Sequence, residues 1–201
     1  MLGINESAPG NGTQYSSPIQ IPGTTWTNAL ASGPYQVGCV KSDGTLWTWG
    51  NNSYGVLGQN NQTAYSSPKQ VGSDTNWATG LNKFGAGSYN FQAIKTDGTM
   101  WMWGSNGDGG LGQNSMTEYS SPRQIGSGTD WASVATHGWQ AVKTDGTLWT
   151  NGRANYGQGG HEYSGDRSSP TQISSDATWD SVGSWAYGTV GLKGTLAPSQ
   201  L

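Results

Sequence analysis

The chain has 201 residues, of which 33 are glycine and 11 tryptophan; only 10% are charged, and the formal net charge is −3. The tryptophans supply enough apolar area for a folded core, which argues against a disordered, low-complexity chain. No run of Lys or Arg, no apolar segment of 18 residues and no basic-then-apolar N-terminus occurs, so we expect no nucleic-acid binding, membrane insertion or signal peptide.

Short motifs recur in the same order along the whole chain. A Ser-Ser-Pro segment is followed by a tryptophan, then by Lys-x-Asp-Gly-Thr, and then by Trp-x-Trp-Gly or a close variant. The Asp-Gly pairs begin at positions 43, 97 and 145, and Lys193 stands where the next one is due, so the period is 48 to 54 residues. A repeat of about fifty residues matches one four-stranded propeller blade.

Within one unit the pattern predicts four short strands. The runs Phe91–Lys95 and Thr99–Trp103 flank an Asp-Gly pair, which predicts a hairpin whose two turn residues both take positive φ. Proline makes Ser121–Ile125 an extended strand, and Trp131–Val134 follows after a Gly-rich turn. The predicted fold is an all-β propeller of about four blades.

Residues 1–201 are predicted to form one propeller domain. The sequence units are about 41–94, 95–142, 143–192, and 193–201 joined with 1–40. The two incomplete end units nearly add up to one blade, and sharing a blade would remove an exposed sheet edge. We therefore expect the strand around Val190 to Leu196 to share a blade with the N-terminal strands around Pro18 to Val40.

These blades resemble the regulator of chromosome condensation repeat, most clearly over Gly87 to Gly112. The resemblance implies a β-propeller. Propellers of this family usually have seven blades, so a four-bladed ring, an arc completed by a second copy and a fragment of a longer chain all stay open. The founder's exchange-factor and chromatin-docking roles depend on a basic tail and an inserted loop that are not seen here. This variant is similar to repeats of bacterial surface and bacteriophage virion proteins.

The sequence offers little for catalysis. The histidines, His137 and His161, fit no metal-binding spacing, and no nucleophile elbow is present. Turn chemistry accounts for three repeat aspartates: Asp43, Asp97 and Asp145. We expect no catalytic residue, no metal and no cofactor.

One aromatic position is a candidate binding site. Six residues before each repeat lysine stands an aromatic ring, and two tryptophans lie beside these positions. The candidate ligand-binding residues are Tyr35, Tyr89, His137, Trp139, Trp185 and Tyr187. Equivalent positions of a propeller form a ring about its axis, where aromatics with polar neighbours bind carbohydrate or peptide; alternatively, they plug the axis. Core packing between blades is expected for six further tryptophans: Trp26, Trp47, Trp77, Trp101, Trp131 and Trp179.

The leading functional hypothesis is a non-enzymatic structural or adhesive module on a phage virion or bacterial surface. Its expected partners are proteins of a larger assembly, including other copies of itself. The alternative is a lectin-like propeller that binds a surface glycan through its aromatic ring, and a hydrolase on the same scaffold is a third.

Overall fold

The computed structural model describes residues 20–135, 139–162, 165–185 and 188–194, and every regular element in these ranges is a β-strand. The all-β prediction is confirmed. No helix in the described ranges is long and apolar enough to cross a membrane. The strands are β1 (Trp26–Ser32), β2 (Gln36–Lys41), β3 (Leu46–Gly50), β4 (Tyr65–Gln70), β5 (Phe84–Ala86), β6 (Asn90–Ile94), β7 (Met100–Gly104), β8 (Tyr119–Gln124), β9 (Trp131–Val134), β10 (Gln140–Lys143), β11 (Leu148–Gly152), β12 (Arg167–Gln172), β13 (Trp179–Trp185) and β14 (Gly188–Lys193).

The strands form three four-stranded antiparallel sheets and one two-stranded sheet, in chain order. We call them blade 1 (β1 to β4), blade 2 (β5 to β8), blade 3 (β9 to β12) and blade 4 (β13 and β14). The sheets are out of phase with the sequence units. Each unit supplies the last two strands of one blade and the first two of the next.

The Asp-Gly hairpins lie between the second and third strands of their blades, but the predicted turn geometry is wrong. Only the glycines take positive φ, at 78° for Gly44, 79° for Gly98 and 80° for Gly146. Because Lys41 N–H bonds to Thr45 O (2.9 Å) and Gly44 N–H to Lys41 O (2.9 Å), the loop has three residues and ends in a left-handed glycine. This is the three-residue hairpin loop, so the aspartate needs no positive φ.

Each hairpin also joins its blade to the next. The carbonyl of Gly44 accepts a hydrogen bond from Trp77 N–H (3.1 Å), and Gly98 O accepts one from Trp131 N–H in the same way (3.1 Å). A Cβ on Gly44 would overlap the carbonyl oxygen of Thr75 in the connection to blade 2. The repeat therefore requires glycine both for its φ and for this close backbone approach.

The repeat tryptophans follow the core-packing prediction only in part, because two of the six are buried and four are half-buried, and they meet within a blade around a lysine. In blade 2, Trp77 is 2% exposed and meets Trp101 edge to face at 6.2 Å. Lys95 Nζ lies over both rings, 4.8 and 4.1 Å from their centroids, and pairs with Asp74 at 2.7 Å. We call this arrangement the tryptophan–lysine clamp. Both indole contacts recur around Lys41 and Lys143, and Lys143 also pairs with Asp130; Lys193 has one indole contact and pairs with Asp176.

The predicted sharing of a blade does not hold for residues 26–41. Strand β1 pairs with β2, which continues into β3, while β14 pairs with β13. The clamp explains this pairing, because Trp26 and Lys41 must face each other across β1 and β2. The strand expected around Pro18 and the end of the C-terminal strand lie outside the described residues.

Candidate ligand-binding site on the loop face

The strand order divides the connections between two faces of the propeller. The hairpins at 42–45, 96–99 and 144–147 lie on one, which we call the turn face. Connections between first and second strands, and between third and fourth strands, lie on the opposite face, which we call the loop face. The described residues of the loop-face connections are 33–35, 51–64, 87–89, 105–118, 135, 139, 153–162 and 165–166.

Three tyrosines of neighbouring blades cluster on the loop face. Tyr35 stacks on Tyr89 with ring centroids 5.7 Å apart and planes at 19°, and Tyr54 tilts against Tyr89 at 4.8 Å. Desolvation raises the pKa of Tyr89, and the two neighbouring phenols add to the effect. Tyr35 is 57% exposed, so the cluster presents aromatic surface to solvent.

Beside this cluster lies a cavity of about 530 Å³, within the size range of small-molecule sites. Its aromatic walls are Tyr89 and Trp139, and its charged groups are Asp108 and Arg153. Gln140, which is 3% exposed, donates to Gln158 O (3.4 Å) and accepts from Trp139 N–H (3.1 Å), so its amide is held in place. The cavity spans loops of blades 1, 2 and 3.

Three of the six predicted site residues lie together at this position: Tyr35 and Tyr89 in the tyrosine cluster, and Trp139 in the cavity wall. His137 and Tyr187 lie outside the described residues. Trp185 ends β13, and its side chain is likewise outside what the structure describes. Sequence reasoning missed Tyr54, Asp108 and Arg153, which belong to loops where the repeat pattern is irregular.

Trp139 lines the cavity because the interface between blades 2 and 3 differs from the one before it. In blade 2 the equivalent position is Phe91, which is fully buried, and the cross-strand residue is Trp103, also fully buried. The indole N–H of Trp103 bonds to Val56 O in the loop of blade 1 (2.7 Å). At this first interface all three large side chains belong to the core.

At the next interface each of these three positions carries a different residue. Asn151 replaces the buried indole and keeps its hydrogen bond, from Nδ2 to Gly110 O at 2.5 Å. Gly110 replaces the loop valine, and a Cβ there would overlap Trp139 Nε1. Trp139 is half-buried and lies across Gly152, where an added Cβ would be 2.6 Å from its ring. The second interface therefore has an indole in the cavity wall, from Trp139, where the first has one in the core, from Trp103.

The two charged groups of the cavity come from loops of different blades. Among the described residues neither Asp108 nor Arg153 forms a salt bridge, including with the other. The guanidinium of Arg153 lies over the Tyr156 ring at 5.6 Å, and its buried Nε has no hydrogen-bond partner in the described chain. Both groups are therefore available to a bound molecule.

A metal centre finds no support in the part of the chain that is described. No group of three or more His, Cys, Asp or Glu side chains there is placed to hold an ion. Cys39 is buried in β2, and burial raises the pKa of its thiol. The residues that line the cavity offer aromatic rings, amides, serine hydroxyls, one carboxylate and one guanidinium.

Comparison with known proteins agrees with this architecture. The model of the regulator of chromosome condensation (RCC1) repeat matches residues 43–87 and 97–142. These two segments are RCC1 repeats. Human WBSCR16 superimposes with a TM-score of 0.70 at 19% identity, over 82% of this chain and 44% of that one. Yeast RCC1 (Prp20), crystallised with Kap60 bound, gives 0.67 at 20% identity, over 85% and 42%.

The RCC1 repeats also match parts of larger proteins. Human E3 ubiquitin-protein ligase HERC2 is 32% identical over 97 residues, which cover 48% of this chain and 2% of that protein. The mitochondrial RCC1 domain-containing protein RUG3 of Arabidopsis thaliana is 27% identical over 122 residues, 58% of this chain and 27% of that protein. The chain thus spans well under half the length of these relatives, and the shared property is the RCC1-like propeller.

Proposed function

We propose that this chain is a non-enzymatic, structural or adhesive propeller module that holds a partner against its loop face. The observation that carries the proposal is the tyrosine cluster beside a cavity whose two charged groups have no ion-pair partner among the described residues. Exposed aromatic rings bind partners at low entropic cost, and tyrosine is enriched at interfaces. The turn face, in contrast, uses its tryptophans to enclose lysines.

The first candidate partner is a protein, including another copy of the chain within a larger assembly. Yeast Prp20 has been crystallised with Kap60, and its binding to Gsp1p and histones has been described. Kap60, Gsp1p and histones are named as partners of the yeast protein and are not assigned to this chain. Their relevance here is that a propeller of the same fold contacts protein partners.

The second candidate is a surface glycan, and the cavity favours it. A volume of about 530 Å³ suits one or two sugar rings better than a protein surface. Trp139 and Tyr89 offer flat aromatic walls, while Asp108 and Arg153 offer polar groups for hydroxyls.

We further propose that the module works on a virion or at an extracellular surface. The support is compositional: charged residues make up only 10% of the chain, and 11 tryptophans build a rigid scaffold. Such a protein suits an adhesive role outside the cell.

Binding to defined glycan and peptide arrays tests the function. We expect at least one ligand to bind the intact chain and to be lost in Tyr89→Ala and Trp139→Ala. Leu81→Ala is the matched control, because Leu81 is 71% exposed and lies in the connection from β4 to β5 on the turn face. Binding that survives both aromatic changes, or that Leu81→Ala removes equally, would contradict a loop-face site.

A further inference from the structure

Two residues of blade 3 that line the cavity each carry a buried N–H donor with no hydrogen-bond partner among the described residues. Arg153 is always charged, carries five N–H donors in a fixed fork, and its buried Nε has no partner among the described residues. Trp139 Nε1 is also buried without a partner in those residues. Both residues line the same cavity. A buried donor without an acceptor carries a desolvation cost that a bound acceptor would remove.

The acceptor that best fits a guanidinium fork is a carboxylate. Arginine binds carboxylate through two parallel hydrogen bonds, which adds geometric specificity to the charge attraction. Asp108 lines the same cavity and makes no salt bridge with Arg153, so the two groups stand at separate parts of its wall. A ligand with one carboxylate and nearby hydroxyls satisfies both, whereas a phosphate would bring more negative charge towards Asp108.

The indole makes the cavity suitable for a ring-shaped ligand. Trp139 reaches it only because three repeat positions differ together from the preceding interface: Gly110, Trp139 and Asn151 replace Val56, Phe91 and Trp103. Asn151 keeps the hydrogen bond between blades, so the exchange preserves the fold while it opens an aromatic wall. A flat, apolar wall beside polar groups suits the face of a sugar ring.

We infer that the cavity binds a carboxylate-bearing sugar, such as a uronic or sialic acid residue of a glycan. The carboxylate pairs with Arg153, hydroxyls donate to Asp108, and the ring lies against Trp139. This inference rests on the glycan-binding candidate of the proposed function and specifies its ligand class.

Titration calorimetry with carboxylate-bearing disaccharides and their methyl esters tests it. The ester keeps the sugar and removes the charge, so we expect the acid to bind about tenfold or more tightly than its ester. Arg153→Gln is expected to lower affinity for the acid by a similar factor and to leave the ester unaffected. Arg153→Lys keeps the charge and loses the guanidinium fork, so its affinity for the acid should lie between those of the intact chain and Arg153→Gln.

Two matched controls separate recognition from folding. Arg123 lies exposed over the Tyr119 ring at 4.9 Å, much as Arg153 lies over Tyr156, but it belongs to β8 outside the cavity, so Arg123→Gln should bind normally. Gly110→Ala should displace the indole and weaken binding, whereas Gly165→Ala, outside the cavity lining and with open space around its Cβ, should not. Thermal melting of each variant checks that it is folded.

Several results would overturn the inference. If acid and ester bind equally, or only neutral sugars bind, the glycan-binding function stands and the carboxylate recognition is wrong. If no acidic disaccharide binds, or if Arg123→Gln weakens binding as much as Arg153→Gln does, the inference also fails. If no acidic disaccharide binds but a peptide on the array does, the proposed function as a protein-binding module still stands.

Discussion

Each of the three Asp-Gly turns contains the same short series of hydrogen bonds. Asp97 Oδ1 accepts from the backbone N–H of Thr99 (3.0 Å) and from its hydroxyl (2.7 Å), and Thr99 Oγ1 accepts from Trp101 Nε1 (2.9 Å). The same bonds occur at the turns of Asp43 and Asp145. The turn thereby fixes one tryptophan of the clamp.

These hydrogen bonds make the free energy of unfolding depend on pH in the acid range. The hydroxyl of Thr99 contributes most to holding the pKa of Asp97 below its ordinary value, and the backbone N–H of Thr99 adds to the effect. A lowered pKa in the folded state stabilises the protein above the unfolded value of about 3.9, and this contribution is lost as pH falls through the folded pKa. We expect Asp97→Asn to be less stable than the intact chain at pH 7 and nearly equal at strongly acid pH.

Urea unfolding of both chains across this pH range measures the difference. Asp108→Asn is a suitable control, because no described residue forms a hydrogen bond or salt bridge with its carboxylate, so its stability difference should not change in this way. A constant difference between Asp97→Asn and the intact chain at every pH would show that the hydrogen-bonded turn does not act through its ionised carboxylate.

At the scale of elements, the tryptophan–lysine clamp of blade 2 joins the connection before β5, which carries Trp77, to Lys95 directly after β6 and to Trp101 in β7. The side chain of Lys95 is only 8% exposed, between two indole rings and a carboxylate. Lys95→Met should therefore lower the free energy of unfolding by about 1 to 3 kcal/mol, since it removes both cation–π contacts and a charge-assisted hydrogen bond.

Lys69→Met provides the comparison for this change. Lys69 is exposed on β4 and lies 5.4 Å from the Tyr65 ring centroid, so its replacement should shift stability by less than about 0.5 kcal/mol. Denaturant unfolding measures both variants. Equal effects of the two substitutions would mean that the clamp is not a stabilising unit.

The strands were predictable because their signals are local. Hairpin position follows from the Asp-Gly pair, and the Ser-Ser-Pro segments form the fourth strand of blades 1, 2 and 3. The length of the hairpin loop was not predictable, because it depends on which backbone groups pair across the loop, as Lys41 N–H and Thr45 O do. An Asp-Gly pair fits both a two-residue and a three-residue loop.

The candidate site was only partly predictable for a different reason. Tyr35 and Tyr89 share a repeat position, so counting back from the lysine finds them. Asp108 and Arg153 occupy loops of different blades, and they line one cavity only when the sheets pack side by side. Their signal in the sequence is a departure from the repeat: Asn151 stands where the two preceding units have tryptophan.

For the whole molecule, the described blades form a sequence of sheets that ends at β14, whose only neighbouring strand among the described residues is β13. Val190 and Leu192 on this strand are 62% and 63% exposed, so it presents apolar side chains to solvent. The strand expected around Pro18 matches the fourth strands of the other blades in sequence, and its pairing within blade 4 stays a prediction.

The two faces of the propeller have different roles in the proposed function, and binding belongs to the loop face. Tryptophan indole N–H signals in a ¹⁵N NMR spectrum report this directly, because Trp139 lines the cavity and Trp101 lies in a turn-face clamp. Trp139→Phe and Trp101→Phe assign the two signals among the 11 tryptophans. When the array ligand that binds most tightly is added, we expect the Trp139 signal to shift and the Trp101 signal to stay unchanged. A shift of Trp101 with Trp139 unchanged would contradict it.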